Sequence, residues 1–179
     1  SPMRIAPFVA FDREAIDYAY DICGGMPQFL WQVGATVSHI VRSGAATRNE
    51  VRRAISIMTS HESTMLPFKS YEILEPIDSV IGLEEERERD LLWMLLYRVA
   101  QSSSLIVEDA ATAFVVDQVL LQLDDRDTWK RRIAKLAELG VLKVSSPSTV
   151  SFQAPIFAEG FRSPRNWQEY NIRQQKVTK

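Results

Sequence analysis

The apolar positions of the first 60 residues recur with the 3.6-residue period of amphipathic helices. Asp12 has the properties of an N-cap, because its carboxylate can accept a hydrogen bond from the first turn of a helix. The apolar residues that follow it at helical spacing are Ile16, Ala19, Tyr20 and Cys23. The pattern therefore predicts a first helix that ends at the glycine pair 24–25, because glycine readily adopts the left-handed conformation found there.

Two further helices are predicted in the same region. Pro27 suits the first turn of the second helix, where no amide donor is needed, and the apolar stripe consists of Leu30, Val33, Val37 and Val41. Residues 47–50 have the spacing of a capping box at the start of the third, and its apolar face consists of Val51, Ala54, Ile55 and Met58. Residues 1–60 are therefore predicted to form a three-helix bundle.

Residues 61–83 interrupt the helical pattern. Pro67, Pro76 and Gly82 exclude one long helix, while enough apolar residues remain for packing. The segment is predicted to be a structured connection with one short helix, and a boundary between two domains.

Helical periodicity returns from residue 84. The acidic residues 84–86 suit a helix N-terminus, and the stripe of a long helix ending near residue 101 consists of Leu92, Leu95, Leu96 and Val99. Residues 102–105 form a polar break. A helix over 107–123 is predicted to turn Ala110, Phe114 and Leu121 inward.

A further helix follows, with Asp127 as its expected N-cap and Gly140 after its end. Its inward residues are predicted to be Trp129, Ile133, Leu136 and Ala137. The period then changes. Residues 141–144 and 150–153 are short β-type runs, and the loop-forming residues 145–149 between them predict a hairpin. A last helix is predicted from residues 163–164, with Trp167, Tyr170 and Ile172 as its apolar residues.

Three helices followed by a β-hairpin is the order of a winged-helix domain, the helix-turn-helix variant with a β wing. The predicted fold is therefore mainly α. It comprises a three-helix bundle at 1–60, a connection at 61–83, a winged helix at 84–162 and a C-terminal helix at 163–179.

Composition removes several classes of function. The 179 residues carry a formal net charge of −2, which gives no overall attraction to nucleic acid or to an anionic membrane. One cysteine excludes an intramolecular disulfide and suggests a reducing, cytoplasmic location. No apolar run approaches the roughly 20 residues of a membrane span.

The sequence contains no recognisable catalytic or metal-binding constellation. His39 and His61 lie in separate segments, so no metal site is predicted. Cys23 lies on an apolar stripe, which favours an inert, buried thiol. No Gly-x-x-x-x-Gly-Lys-Ser/Thr loop is present to hold phosphates, so the chain alone is not expected to be an enzyme or to hold a cofactor.

The run GGMPQFLWQVG at the start of the second helix resembles the helical lid of AAA+/STAND-type P-loop ATPases, in which a winged helix commonly follows the lid. The resemblance covers residues 8–60 and 84–162. It implies that Gly25, Met26 and Pro27 lie against the base of ATP or ADP, which an upstream ATPase core would hold. The chain departs from the pattern of many AAA+ lids at the second-sensor arginine, for which Arg42 and Arg48 are poor matches.

The resemblance implies nucleotide-dependent regulation and contact with an ATPase core, with DNA or with another protein. Two alternatives stay open. One is a free-standing winged-helix regulator that binds double-stranded DNA, whose first 60 residues serve dimerisation or effector binding. The other is a protein-interaction module without a nucleotide or nucleic-acid role.

Four basic residues are the candidate DNA contacts. Lys130, Arg131 and Lys135 are predicted to lie on the outer side of the third winged-helix helix, opposite Trp129, and Lys143 lies in the predicted wing. Cations on a surface that faces a groove are what phosphate contacts require.

Overall fold

The computed structural model describes residues 9–59, 73–101, 105–106, 118–145, 149–162 and 164–179. These residues are mainly helical with one small antiparallel sheet, as predicted. The helices are α1 (Arg13–Ile22), α2 (Pro27–Ile40), α3 (Arg48–Thr59), α4 (Glu75–Ile81), α5 (Glu86–Gln101), α6 (Gln118–Leu123), α7 (Arg126–Glu138), α8 (Ile156–Phe161) and α9 (Pro164–Val177). The strands are β1 (Leu105–Ile106), β2 (Leu142–Ser145) and β3 (Thr149–Phe152).

The predicted capping residues set the starts of α1 and α3. The Asp12 carboxylate accepts a hydrogen bond from the Ala15 backbone N–H at 2.7 Å. The Glu50 carboxylate accepts one from the backbone N–H of Thr47 at 2.8 Å, which completes the capping box. Both predicted caps are confirmed.

The buried face of α1 differs from the prediction. Ala15, Ala19 and Cys23 are buried, whereas Ile16 and Tyr20 are 54% and 59% exposed. The three buried residues are four apart and small, so α1 packs against α2 and α3 through its least bulky face. Periodicity placed the correct helix but assigned Ile16 and Tyr20 to the core wrongly.

The central helix of the second half is α5. Its buried residues surround most of its circumference, because α4, α8, α9 and β3 all pack against it. The helix α8 was not predicted. Its Phe157 ring lies 5.4 Å from the Phe29 ring of α2, and its Phe161 ring lies 5.3 Å from Trp93 of α5. This helix therefore joins the first three helices to the rest of the molecule.

The sheet contains the predicted hairpin and one strand that was not predicted. β2 and β3 pair antiparallel, with Leu142 opposite Phe152 and Ser145 opposite Thr149. β1 pairs antiparallel with the other side of β3, so the strand order is β1-β3-β2. The sequence interpretation had ended the polar break at residue 105, where β1 begins.

Two local predictions in this half were wrong. The N-cap of α7 is Asp125 rather than Asp127, and its carboxylate accepts from the Thr128 backbone N–H at 2.8 Å. In α6, Leu120 is buried and Leu121 is 40% exposed. Ala110 and Phe114 lie outside the described residues.

The C-terminal helix was predicted correctly, but only part of its apolar set is buried. In α9, Tyr170 is buried, whereas Trp167 and Ile172 are 52% and 50% exposed. Among the described residues, no helix has the length and hydropathy that crossing a bilayer requires.

Candidate functional site

The corner between α1 and α2 is formed by two glycines in the left-handed region. Gly24 has a φ of +59° and Gly25 a φ of +69°. The backbone N–H of Gly25 donates to the carbonyl of Tyr20 at 3.0 Å, which closes the end of α1. A side chain at either position would be strained because L-residues rarely adopt such angles.

The corner also packs closely against the rest of the fold. A Cβ on Gly24 would lie 2.9 Å from the Cβ of Ala154 and 3.0 Å from its Cα, just after β3. A Cβ on Gly25 would lie 2.9 Å from the Tyr20 hydroxyl oxygen. Gly24 is therefore required by backbone conformation and by contact with the chain that follows the hairpin.

The start of α2 has no side-chain cap. Met26 is extended, with φ −73° and ψ 116°, and its side chain accepts no hydrogen bond from the first turn. Met26 is half-buried, whereas Pro27 and Gln28 are exposed. The first-turn amides of α2 thus lie beside an exposed proline, an arrangement that can contact an anion and an apolar ring together.

Exposed apolar side chains border this corner. Ile16 and Tyr20 are on successive turns of α1, and Tyr20 reaches Gly25. Trp31, one turn after Pro27 in α2, is 66% exposed. Exposed apolar side chains on the two helices that meet at this corner are candidates for contact with another molecule. The sequence did not identify Ile16 and Tyr20 as surface residues, because their helical spacing placed them on the predicted buried face.

The four candidate DNA contacts are not equivalent. Arg131 and Lys143 are exposed, and Lys130 is half-buried. Arg131 donates to the Thr128 hydroxyl at 2.9 Å. Lys135 is half-buried and forms an ion pair with Glu84, just before α5. The pairing follows from packing of the start of α5 beside α7, a contact between residues 51 positions apart.

The best-formed polar cluster surrounds Arg132, which the sequence interpretation had not assigned to any site. Its side chain is 7% exposed, donates to both Glu88 carboxylate oxygens at 2.9 Å, and donates to Asp124 at 2.7 Å. The guanidinium also lies 4.5 Å from the Trp129 ring centroid. Burial lowers the pKa of Arg132, but the hydrogen bonds to Glu88 and Asp124 outweigh burial and raise the pKa above its ordinary value.

The remaining candidates for chemistry have structural explanations. Cys23 is buried, and desolvation raises the pKa of its thiol to about 12, so the inert interpretation is supported. His39 is exposed on α2, with Nδ1 2.8 Å from the Ala35 carbonyl oxygen. His61 lies outside the described residues. No group of three or more metal-ligating side chains occurs within the part of the chain that the structure describes.

Comparisons of the chain with protein-family models, with curated proteins and with solved structures found no match.

Proposed function

We propose that the chain is the lid and winged-helix region of a P-loop ATPase of the AAA+/STAND type. In this role Gly25, Met26 and Pro27 form one wall of a nucleotide site whose phosphate-binding loop belongs to an ATPase core. The chain transmits the nucleotide state to its winged helix and is not catalytic alone. The cofactor of the whole protein is then ATP or ADP.

The observation that carries the proposal is the geometry of the α1–α2 corner. Two left-handed glycines lead into a helix whose first turn has no side-chain cap and whose Pro27 is exposed. Ile16, Tyr20 and Trp31 present apolar groups to solvent on the same two helices. An ATPase core packed here would cover those groups and enclose a base against Pro27.

The second half supports the proposal through its topology. The order α5, β1, α6, α7, β2, β3, with β1 paired to β3, is the order expected of a winged-helix domain. The contact of Gly24 with Ala154 links this domain directly to the corner. A shift of the backbone at the corner would therefore displace the residues at the end of the hairpin.

The reading frame upstream of Met3 provides the first test. We expect this upstream frame to encode a phosphate-binding loop, and its absence would refute the proposal. In the full protein that this frame encodes, Pro27→Ala should weaken ADP binding about fivefold, the loss of roughly 1 kcal/mol of apolar contact. Pro164→Ala is the matched control, since Pro164 also opens an exposed helix turn. Equal effects of the two substitutions would contradict a base-binding role for Pro27.

The 179-residue chain by itself gives a second test. It should show no ATP hydrolysis and at most weak ADP binding, because one apolar wall without a phosphate cradle offers few contacts. Sub-micromolar ADP affinity in calorimetry of this chain would refute the incomplete-site model.

A DNA-binding winged-helix regulator is the second candidate, favoured by the exposure of Arg131 and Lys143. The pairing of Lys135 with Glu84 and the burial of Arg132 reduce the cations that α7 can offer to phosphates. Fluorescence anisotropy with duplex DNA at two salt concentrations separates the candidates. Absence of salt-dependent binding near 50 mM salt would leave the protein-interaction role as the better account of the winged helix.

A further inference from the structure

Two arginines of α3 converge on one tyrosine of α1. The guanidinium carbon of Arg48 lies 4.7 Å from the centroid of the Tyr18 ring, and that of Arg52 lies 5.6 Å from it. Arg48 and Arg52 are four residues apart, so they share one face of the helix. Stacking on the ring fixes the guanidinium planes while leaving N–H groups at their edges for other acceptors.

The hydrogen-bonding capacity of these guanidiniums is largely unused. Arg48 contacts the Glu14 carboxylate through one bond of 3.3 Å, and its Nε is covered without an acceptor. Within the described residues, no carboxylate oxygen lies within 4.0 Å of a guanidinium nitrogen of Arg52. Arg132 differs in the number of its bonds, since it donates three of 2.7 to 2.9 Å to two carboxylates, although its Nη1 is also covered without an acceptor.

Both arginines line one cavity. Its volume is about 260 Å³, and its other lining residues are Glu14, Thr47 and Asn49. Since a water occupies roughly 30 Å³, the cavity has room for a tetrahedral oxyanion and several waters. It lies at the start of α1 and α3, whereas Gly25 follows the end of α1, a ten-residue helix about 15 Å long. The cavity is therefore separate from the proposed nucleotide wall.

We infer that this cavity binds a phosphate group, either free or as a monoester, between Arg48 and Arg52. Two adjacent guanidiniums match a dianion with three or four acceptor oxygens better than they match a single carboxylate. In the free protein the Glu14 carboxylate pairs with Arg48 through one long contact, and the ligand displaces it. Tyr18 positions both arginines without contacting the anion. This inference does not depend on the proposed nucleotide wall.

The test is a titration of the whole chain, at constant ionic strength, with inorganic phosphate in one arm and phenyl phosphate in the other. Binding is followed by NMR of the arginine Nε–Hε groups. Arg52→Ala should weaken binding at least tenfold, because it removes one of the two cationic donors. Arg53→Ala is the matched control, an exposed neighbour on α3 outside the cavity, and should change affinity less than twofold.

Glu14→Gln tests whether Glu14 competes with the ligand for Arg48. Removing one negative charge could also strengthen binding by general electrostatic attraction, so the readout is the Arg48 Nε–Hε resonance, which reports on this arginine directly. The affinity of the variant for phosphate should rise about threefold or more. Without ligand, the Arg48 Nε–Hε resonance of the variant should differ from that of the wild type. When both proteins are saturated with ligand, the two resonances should coincide. Tighter binding of phenyl phosphate identifies a monoester as the ligand, and tighter binding of inorganic phosphate identifies the free ion.

Three outcomes would overturn the inference. They are the absence of saturable binding in both arms, equal weakening by Arg52→Ala and Arg53→Ala, and weaker binding after Glu14→Gln. All four side chains to be changed or monitored lie at the surface or half-buried, and circular dichroism of each variant verifies that the fold is retained.

Discussion

Replacing Arg132 by alanine should be among the most destabilising changes of a charged residue in this chain. The substitution removes three charge-assisted hydrogen bonds to Glu88 and Asp124 and the stacking of the guanidinium on Trp129. Such hydrogen bonds contribute about 1.5–3 kcal/mol each when considered separately. The side chains of Glu88 and Asp124 are 31% and 26% exposed, so both carboxylates can regain water after the change. The expected loss of unfolding free energy is therefore about 3 kcal/mol, at the low end for a broken buried ion pair.

Urea denaturation followed by circular dichroism measures this loss. The matched control is Asp17→Ala, which removes the exposed pair between Asp17 and Arg13, whose charged atoms are 4.0 Å apart. The control should cost less than about 0.5 kcal/mol because exposed pairs contribute little. The triple variant Arg132→Met, Glu88→Gln, Asp124→Asn should recover part of the stability, since it leaves no buried charge unpaired. Arg87 loses its 3.7 Å contact with Asp124, but its side chain is 55% exposed and stays solvated. A loss for Arg132→Ala no larger than that of the control would refute the reasoning.

Three shorter predictions concern the corner, the thiol and the basic residues. Gly24→Ala should destabilise the chain by about 1–2 kcal/mol more than Gly44→Ala in thermal or urea unfolding, because both have positive φ but only Gly24 meets other atoms within 4 Å; equal losses would contradict the close approach. Cys23 should react with a thiol reagent at pH 8 at least 100-fold more slowly in the folded chain than in urea, because it is buried and its thiolate forms only near pH 12; fast labelling of the folded chain would show that the thiol is accessible. If duplex DNA binds, Lys143→Ala should lower the salt slope by roughly one phosphate, whereas Lys135→Ala should leave it nearly unchanged because Glu84 already neutralises it.

Local sequence signals determined where several elements begin and end. The caps at Asp12 and Thr47, the prolines that open α2 and α9, and the glycines after α1 each act within one helical turn. The change from helical to alternating periodicity after Gly140 likewise marked the hairpin. These features needed no information about distant residues, and they sufficed to predict a mainly helical chain ending in a hairpin and one more helix.

Tertiary packing decided which faces are buried and which charges are available. Periodicity alone does not say whether a helix packs through its large or its small residues, and α1 buries Ala15 and Ala19 while exposing Ile16 and Tyr20. The strand β1 has two residues and is defined by its pairing with β3, so no local sequence pattern predicts it.

The candidate sites show the same division. Gly25, Met26 and Pro27 are consecutive, so the sequence by itself brought them together. Glu84 lies 51 positions from Lys135, Glu88 lies 44 positions from Arg132, and Glu14 lies 34 positions from Arg48. Ion pairs over such separations form only when helix packing brings the side chains within about 4 Å, which is why the sequence alone did not show that Lys135 and Arg132 are paired.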